Sequence, residues 1–345
     1  MIHLSCDYTC GAHPQLLDAI VATNGHHTEG YGEDTFCQEA QNAIKTFFDT
    51  PNADIHFLVG GTQTNRVVID TLLRPHQGVV CATCGHINVH ESGAIEAGGH
   101  KVLALTDNEG KITAEAIDKC FHDHFTDVNY EHMVQPGMVY ISQPTEYGTL
   151  YSLKELKAIH RICRKYDVPL FIDGARLGYA LASEANDVAP TDLPKVCDVF
   201  YAGGTKMGAL MGEAIVMVSK KWRKDFRYII KQHGALLAKG RLLGIQFKTL
   251  MTDNLYLKIG ANGCNTAKQL QQGLKAMGIQ FYYNSPTNQI FPILPNTLLD
   301  NINKDISYSY WCRYDEDHSV VRFCTSWETT PYEIEQALNI IKQKL

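Results

Sequence analysis

Residues 199–210 read VFYAGGTKMGAL and place one lysine, Lys206, among glycines and small residues at the end of an apolar run. A run of this kind reads as a buried strand, so the lysine leaves the sheet where water is scarce. Burial disfavours the charged ammonium, and an amine that has lost its proton can form a Schiff base with a carbonyl. The competing reading is a lysine on a Gly-rich turn whose ammonium reaches back to water.

Four other groups fall at or within apolar runs. In FLVGGTQTN (57–65) a strand runs into Gly60, Gly61 and Thr62 and then into a helix. Backbone N–H groups at such a helix start, with a hydroxyl beside them, suit a phosphate. The stretch lacks the P-loop lysine and the G-x-G-x-x-G of a dinucleotide site, and a strand-turn-helix can need its glycines for geometry alone. In LFIDGARLG, Asp173 closes an apolar strand. A buried carboxylate needs a partner, either a cation such as Arg176 or a protonated ring nitrogen of a cofactor. In CGHINVHESGAIEAGG, His86 follows a strand end, with His90 and Glu91 a turn later. His86 and His90 could bind a metal, but no third ligand suggests itself, and His86 serves equally as a flat ring. In SVVRFCTSW, Arg322 is the one charge inside an apolar strand and calls for a carboxylate. A phosphate cradle, a ring-nitrogen carboxylate, a flat ring, an amine and a carboxylate-binding arginine together match one cofactor, pyridoxal phosphate.

The elements that must position these groups are legible. Seven apolar runs between about residues 55 and 218 (IHFLVGG, GVVCAT, KVLALT, GMVYIS, PLFIDGA, DVFYAGG, EAIVMVS) alternate with helical patterns. They predict an α/β layer with a mostly parallel sheet, which binds ligands at its strand ends. SLKELKAIHRICRKYDVP predicts a helix capped by Ser152 and Glu155. After about residue 250 the texture changes. IQFYYN, QIFPIL, YSYWCRYD and SVVRFCTS predict strands, and PYEIEQALNIIKQKL predicts a last helix with a Thr330–Glu333 capping box. The expected division is a large domain over 1–250, with an N-terminal arm, and a small α+β domain over 251–345.

Composition narrows the function class. The 345 residues carry a formal charge of −6 without charge blocks, which argues against nucleic acid or an anionic membrane as partner. No 18-residue apolar stretch and no leader pattern is found. Eleven cysteines, an odd number scattered through apolar segments, suit a reducing compartment, so a cytoplasmic protein is expected. Cys81 and Cys84 form the one Cys-x-x-Cys and have no second pair at zinc spacing. No metal site is expected. His122 and His124 read as solvated histidines on a loop.

The motifs EGYGEDTF, GGTQTN, HINVHESGAIE, FIDGARL, GGTKMG and RFCTSW follow one another in an order and spacing that resembles the threonine aldolase family. That family belongs to the aromatic amino acid β-eliminating lyase/threonine aldolase group, with the aspartate aminotransferase-type (type I) fold. The likeness spans nearly the whole chain. It implies that Lys206 carries the cofactor as a Schiff base, that Asp173 pairs with the ring nitrogen, and that His86 stacks over the ring. Gly61 and Thr62 would hold the phosphate, helped by Thr205, with Arg241 near the family position of a basic residue close to it. Arg176 and Arg322 would bind the substrate carboxylate. Tyr31 lies where the family reaches a neighbouring subunit's site, which implies a homodimer and a tetramer of two dimers. Two stretches depart from the family. Cys6 stands where many relatives have serine or asparagine near the substrate carboxylate, with Ser5 next door as the substrate-binding residue displaced by one step, and QPTEYG (143–148) differs from the commoner loop. Both bear on substrate preference rather than on cofactor use.

The reaction so implied is cleavage of β-hydroxy-α-amino acids to glycine and an aldehyde. Three alternatives stand beside it. One is β-elimination from an aromatic or sulfur amino acid on the same cofactor. The second is a nucleotide-binding α/β protein that uses GGTQTN without a Schiff base, and the third a non-catalytic relative that presents an interaction surface.

Overall fold

Alternate residues along the central strands pack to opposite sides. Tyr140, Phe171, Tyr201 and Ile215 join one buried layer with Val67 and Val68, while Val139, Ile141, Ile172, Phe200 and Val216 join another with Leu156 and Phe247. A strand buried on both faces has to be apolar throughout, which is why these segments read as unbroken runs. The computed structural model describes all 345 residues.

After a two-residue strand β1 (Ile2–His3), the seven apolar runs form β2 (Asp54–Leu58), β3 (Gln77–Ala82), β4 (Val102–Leu105), β5 (Gln135–Ser142), β6 (Leu170–Asp173), β7 (Val199–Gly203) and β8 (Glu213–Met217). They share one sheet in the order β2-β8-β7-β6-β5-β3-β4. The pairs from β4 to β7 are parallel, and β8 runs antiparallel to both β7 and β2. The C-terminal ends of β2, β3, β5, β6 and β7 therefore meet the N-terminal end of β8 at one edge. That edge is where Gly61, His86, Asp173 and Lys206 emerge.

The helix Leu153–Lys165 has the expected capping box: Ser152 Oγ accepts from Glu155 N–H, and the Glu155 carboxylate accepts from Ser152 N–H. Such a cap contributes about 1 kcal/mol. His122–His124 is not a loop. It belongs to the helix Ala114–Thr126, and Ile117, Phe121 and His124 form its buried stripe. His124 is carried inward because its ring packs edge-on against Phe125 and Tyr130.

The last third holds β9 (Gln289–Ile290), β10 (Ile293–Pro295), β11 (Ile306–Ser307), β12 (Ser309–Arg313) and β13 (His318–Cys324). β13 is the hub and pairs antiparallel with β9, β10 and β12. IQFYYN does not become a strand, since only Phe281 bridges, to Pro292. QIFPIL divides around Pro292, which has no N–H for a ladder. The closing helix Pro331–Lys344 has its Thr330–Glu333 capping box. β1 pairs in parallel with β11, so the first residues of the chain are fastened to this region, where Leu4 shares a core with Ile290, Val321 and Phe323.

The long helix Leu255–Ala276, which the sequence patterns did not reveal, links the two regions. It crosses the helix Leu177–Ala182 at two glycines, and a Cβ on Gly260 would lie 2.2 Å from the Gly178 carbonyl oxygen. Rigid backbone cannot yield as a side chain would. Gly260→Ala should lower the thermal midpoint, with a loss of about 1–3 kcal/mol typical of overpacking; an unchanged melting curve would mean that the crossing is looser than its geometry.

Candidate active site

Asp173 forms the floor of the site. It is only 5% exposed, yet four donors reach it. Oδ1 accepts from Tyr201 Oη at 2.6 Å and Ala175 N at 3.0 Å, and Oδ2 from Tyr140 Oη at 2.5 Å and Asn65 Nδ2 at 3.0 Å. Burial pushes its pKa up, but the His86 ring, whenever it is protonated, and the two tyrosine hydroxyls and Ala175 N–H outweigh it and hold the carboxyl below its ordinary value. The floor is an anion. Arg176, three residues on, is not its partner.

Lys206 lies on the turn after β7. Burial and the Arg176 charge depress its ammonium below the usual lysine range, against the pull of Asp7, Asp173 and Glu213. Its Nζ stands 5.9 Å from the Tyr8 ring centroid, and Tyr179 Oη anchors its carbonyl at 2.8 Å. The turn is clamped from below by Glu213, the first residue of β8. The Glu213 carboxylate accepts from Gly204 N at 3.1 Å and Thr205 Oγ1 at 2.9 Å. Burial raises the Glu213 carboxyl to about 8. Thr205 therefore has a task other than the expected one. Its hydroxyl donates to Glu213 and accepts from Gly212 N, which faces it into the base of the turn.

His86 opens a short helical turn after β3. Its Nδ1 lies 2.7 Å from Glu91 Oε1, and its backbone N–H donates to Glu146 Oε1 at 2.9 Å. Glu146, from QPTEYG, also accepts from Ser142 Oγ at 2.7 Å, and burial raises its pKa. Gly61 begins the 12-residue helix Gly61–Leu72, whose N-terminus has no side-chain cap. Its first N–H groups are thus open to a ligand. Thr62 is exposed on that first turn. A Cβ at Gly61 would come within 3.3 Å of the Tyr201 hydroxyl, so the glycine keeps space clear above the floor.

The two arginines differ. Arg176 gives a bidentate fork to Asp7, at 2.7 and 2.9 Å, and Asn288 Nδ2 adds a third donor to that carboxylate at 2.9 Å. Burial alone would raise the Asp7 carboxyl, but the fork brings it down to about 2. Arg322 has no carboxylate. Its NH1 reaches Gln289 Oε1 at 3.2 Å and its NH2 the Ser5 carbonyl at 3.2 Å, and its Nε is buried without a partner. Ser5 thus meets Arg322 through its backbone.

Lys206, His86, Glu146 and Arg176 line two adjoining recesses. The inner one, about 50 Å³, also takes in Gly61, Asn65, Asp173 and Tyr201. The outer one, about 690 Å³, is walled by Arg322, Tyr8, Tyr147, Tyr310 and Trp311. Tyr31 and Arg241 line neither. Tyr31 sits in a separate hollow beside Gly240, under the Lys231 ammonium at 4.3 Å. Arg241 donates to the carbonyls of Thr23, Asn24 and His26. Within one chain, then, the folding brings together Lys206, Asp173, His86, Gly61, Arg176 and Arg322. The polar groups that sequence reasoning left unassigned are Asp7, Asn65, Glu91, Glu146 and Glu213. Each lies within or beside a motif singled out above, and only the pairing of distant strands shows what it touches.

Comparisons with known proteins show the family and the fold. The sequence model of the beta-eliminating lyase family matches residues 4–296. A low specificity L-threonine aldolase of a Pseudomonas species is 30% identical over 96% of this chain and 94% of its own. The solved structure of Leishmania major threonine aldolase superposes with a TM-score of 0.96 at 40% identity, covering 99% of each chain. Thermus thermophilus aspartate aminotransferase shares the fold alone, with a TM-score of 0.72 at 14% identity over 100% of this chain and 92% of that one. The chain belongs to the beta-eliminating lyases, and among them to the threonine aldolase family.

Proposed function

We propose that this protein is a pyridoxal phosphate-dependent aldolase that cleaves β-hydroxy-α-amino acids, such as threonine or allo-threonine, to glycine and an aldehyde. The observation that carries the reading is Arg322, a guanidinium in the cavity wall whose protein partners are neutral and whose Nε has none. A half-buried cation without an anionic partner is ready for an anion that arrives with the ligand, and an amino acid carboxylate is such an anion.

The residues around the inner recess suit pyridoxal phosphate on three counts, with the adjoining outer recess supplying the room. The uncapped start of the Gly61 helix suits a phosphate. Asp173, held ionised, suits a protonated ring nitrogen. Lys206, with its proton loosened, suits the aldehyde. When bound, the cofactor supplies an electron sink for the pair released as the Cα–Cβ bond breaks. The chain supplies the rest. Arg322, with the unpaired edge of Arg176, grips the carboxylate and so sets which bond at Cα is free to break. His86, or a water beside it, takes the β-hydroxyl proton as the aldehyde forms, and a proton delivered to Cα completes glycine. Glu213 and Tyr179 keep the lysine turn in register.

A shared site in a homodimer explains Tyr31 and Arg241. Neither reaches the cavity of its own chain: Tyr31 lines a separate hollow with Gly240, and Arg241 is turned to the carbonyls of Thr23, Asn24 and His26. Eleven free cysteines accord with a reducing, cytoplasmic setting.

Three outcomes test these assignments. Purified protein should be yellow, and borohydride should fix the label on the peptide containing Lys206; colourless protein that takes up no pyridoxal phosphate removes the cofactor. Arg322→Lys should still bind the cofactor while kcat/KM for threonine falls about ten- to a hundredfold, matching the ~1.5–3 kcal/mol of a charged hydrogen bond. Loss of soluble protein in that variant would instead mark a structural role for its bonds to Gln289 and the Ser5 carbonyl. Mixing Lys206→Ala with Tyr31→Ala chains and letting subunits exchange should restore activity in hybrids, because one intact site then forms. Verified hybrids without activity would confine Tyr31 to its own chain.

A further inference from the structure

A chain of hydrogen bonds runs behind the site from the His86 ring to the Asp173 carboxylate, and its middle members touch neither solvent nor the outer cavity. Asn65 has no exposed surface, and its amide nitrogen gives one contact to Glu91 Oε1 at 2.7 Å and one to Asp173 Oδ2 at 3.0 Å. Glu91 Oε1 also lies 2.7 Å from His86 Nδ1, and the Glu91 side chain is fully buried while that of His86 is 34% exposed. We propose that Asn65 and Glu91 are positioning residues that hold His86 in one tautomer, with Nδ1 protonated and Nε2 bare toward the cavity, and lock that ring to Asp173.

The proposal rests on the aldolase reading and deepens it, because it assigns how the histidine is prepared. An ionised carboxylate only accepts hydrogen bonds. Glu91 therefore keeps the imidazole proton on Nδ1, and the lone pair on Nε2 is left to receive a proton from the substrate. The Asn65 orientation follows from its partners, since turning the amide would set its oxygen against two carboxylates. No other side chain of this size serves both. Serine reaches one carboxylate, aspartate adds a third anion, and leucine takes a donor from each. Asn65 Oδ1 and Glu91 Oε2 are buried without a partner. The fold leaves two acceptors unsatisfied so that these donors stay in place, and such exceptions call for an explanation in function.

The tautomer can be read on the resting wild-type protein by solid-state ¹⁵N spectra of histidine-labelled material at pH 9, with His86→Phe to assign the signal. A protonated Nδ1 and a bare Nε2 support the proposal; a bare Nδ1 overturns it. Glu91→Gln and Asn65→Ala should each lower kcat about 10–100-fold, the size of effect known for groups that orient functional histidines. KM should stay within about threefold, with pyridoxal phosphate still bound by its absorbance. In a His86→Phe background Glu91→Gln should have less than about a twofold effect, because residues acting through one ring are not additive, whereas Asn65→Ala keeps the part of its loss that runs through Asp173. Losses that persist in full in that background overturn the proposal. A wild type without aldolase activity overturns the proposed reaction instead, since the tautomer is measured independently of turnover.

Discussion

A carboxylate kept ionised in the interior has to be surrounded, and Asp173 shows how much of the molecule that takes. Removing such a charge from water costs several kcal/mol even after relaxation. The cost is offset by Tyr140 from β5, Tyr201 from β7, Asn65 from the helix after β2 and the Ala175 backbone. These donors come from parts of the chain as much as 136 residues apart, Asn65 and Tyr201 being the extremes. They converge because parallel strands deliver their ends to one edge of the sheet. The order β7-β6-β5 puts a tyrosine on each side of the aspartate, and the antiparallel β8 brings Glu213 under the neighbouring turn. Charge at the floor and order at the edge are thus the same fact.

The second buried pair extends the constraint to the rest of the chain. Asp7 comes from the first residues, Arg176 from the turn after β6 and Asn288 from just before β9. Three distant segments meet on one carboxylate in the wall between the large sheet and the C-terminal strands. Removing any member leaves a buried charge or dipole unmatched, so the wall is held by electrostatics as well as by the glycine crossing of the two helices.

Much of this was legible in the sequence, for a physical reason. The five inner strands are buried on both faces and must be apolar end to end, and the partly buried edge strands β2 and β4 are apolar enough to be read with them, so all seven were visible, as were the residues just beyond them where chemistry could sit. Capping boxes at Ser152 and Thr330 were equally plain, because the pattern is local. What was hidden depends on distance. Glu91, Glu146 and Glu213 look like ordinary acids beside glycines until strand pairing shows what they accept from. The family resemblance makes Thr205 a helper of the phosphate, while the turn into the antiparallel β8 aims its hydroxyl at Glu213, a contact that only strand pairing reveals. His124 was misplaced because polarity read as a loop where the helical stripe, Ile117–Phe121–His124, was the stronger signal.

The pairing of β1 with β11 has a consequence for how the protein is made. Residues 2–3 wait for residues 306–307, and Asp7 waits for both Arg176 and Asn288. Contacts this far apart in sequence give a high contact order, and loop closure of that length is slow to be rewarded. During synthesis the large sheet has all of its strands once residue 217 has emerged, but the leading segment stays without its partners until the last fifth of the chain is out. The wall that carries Arg176 and Arg322 can therefore close only after residues 288, 306 and 307 have emerged, later than the large sheet beside it.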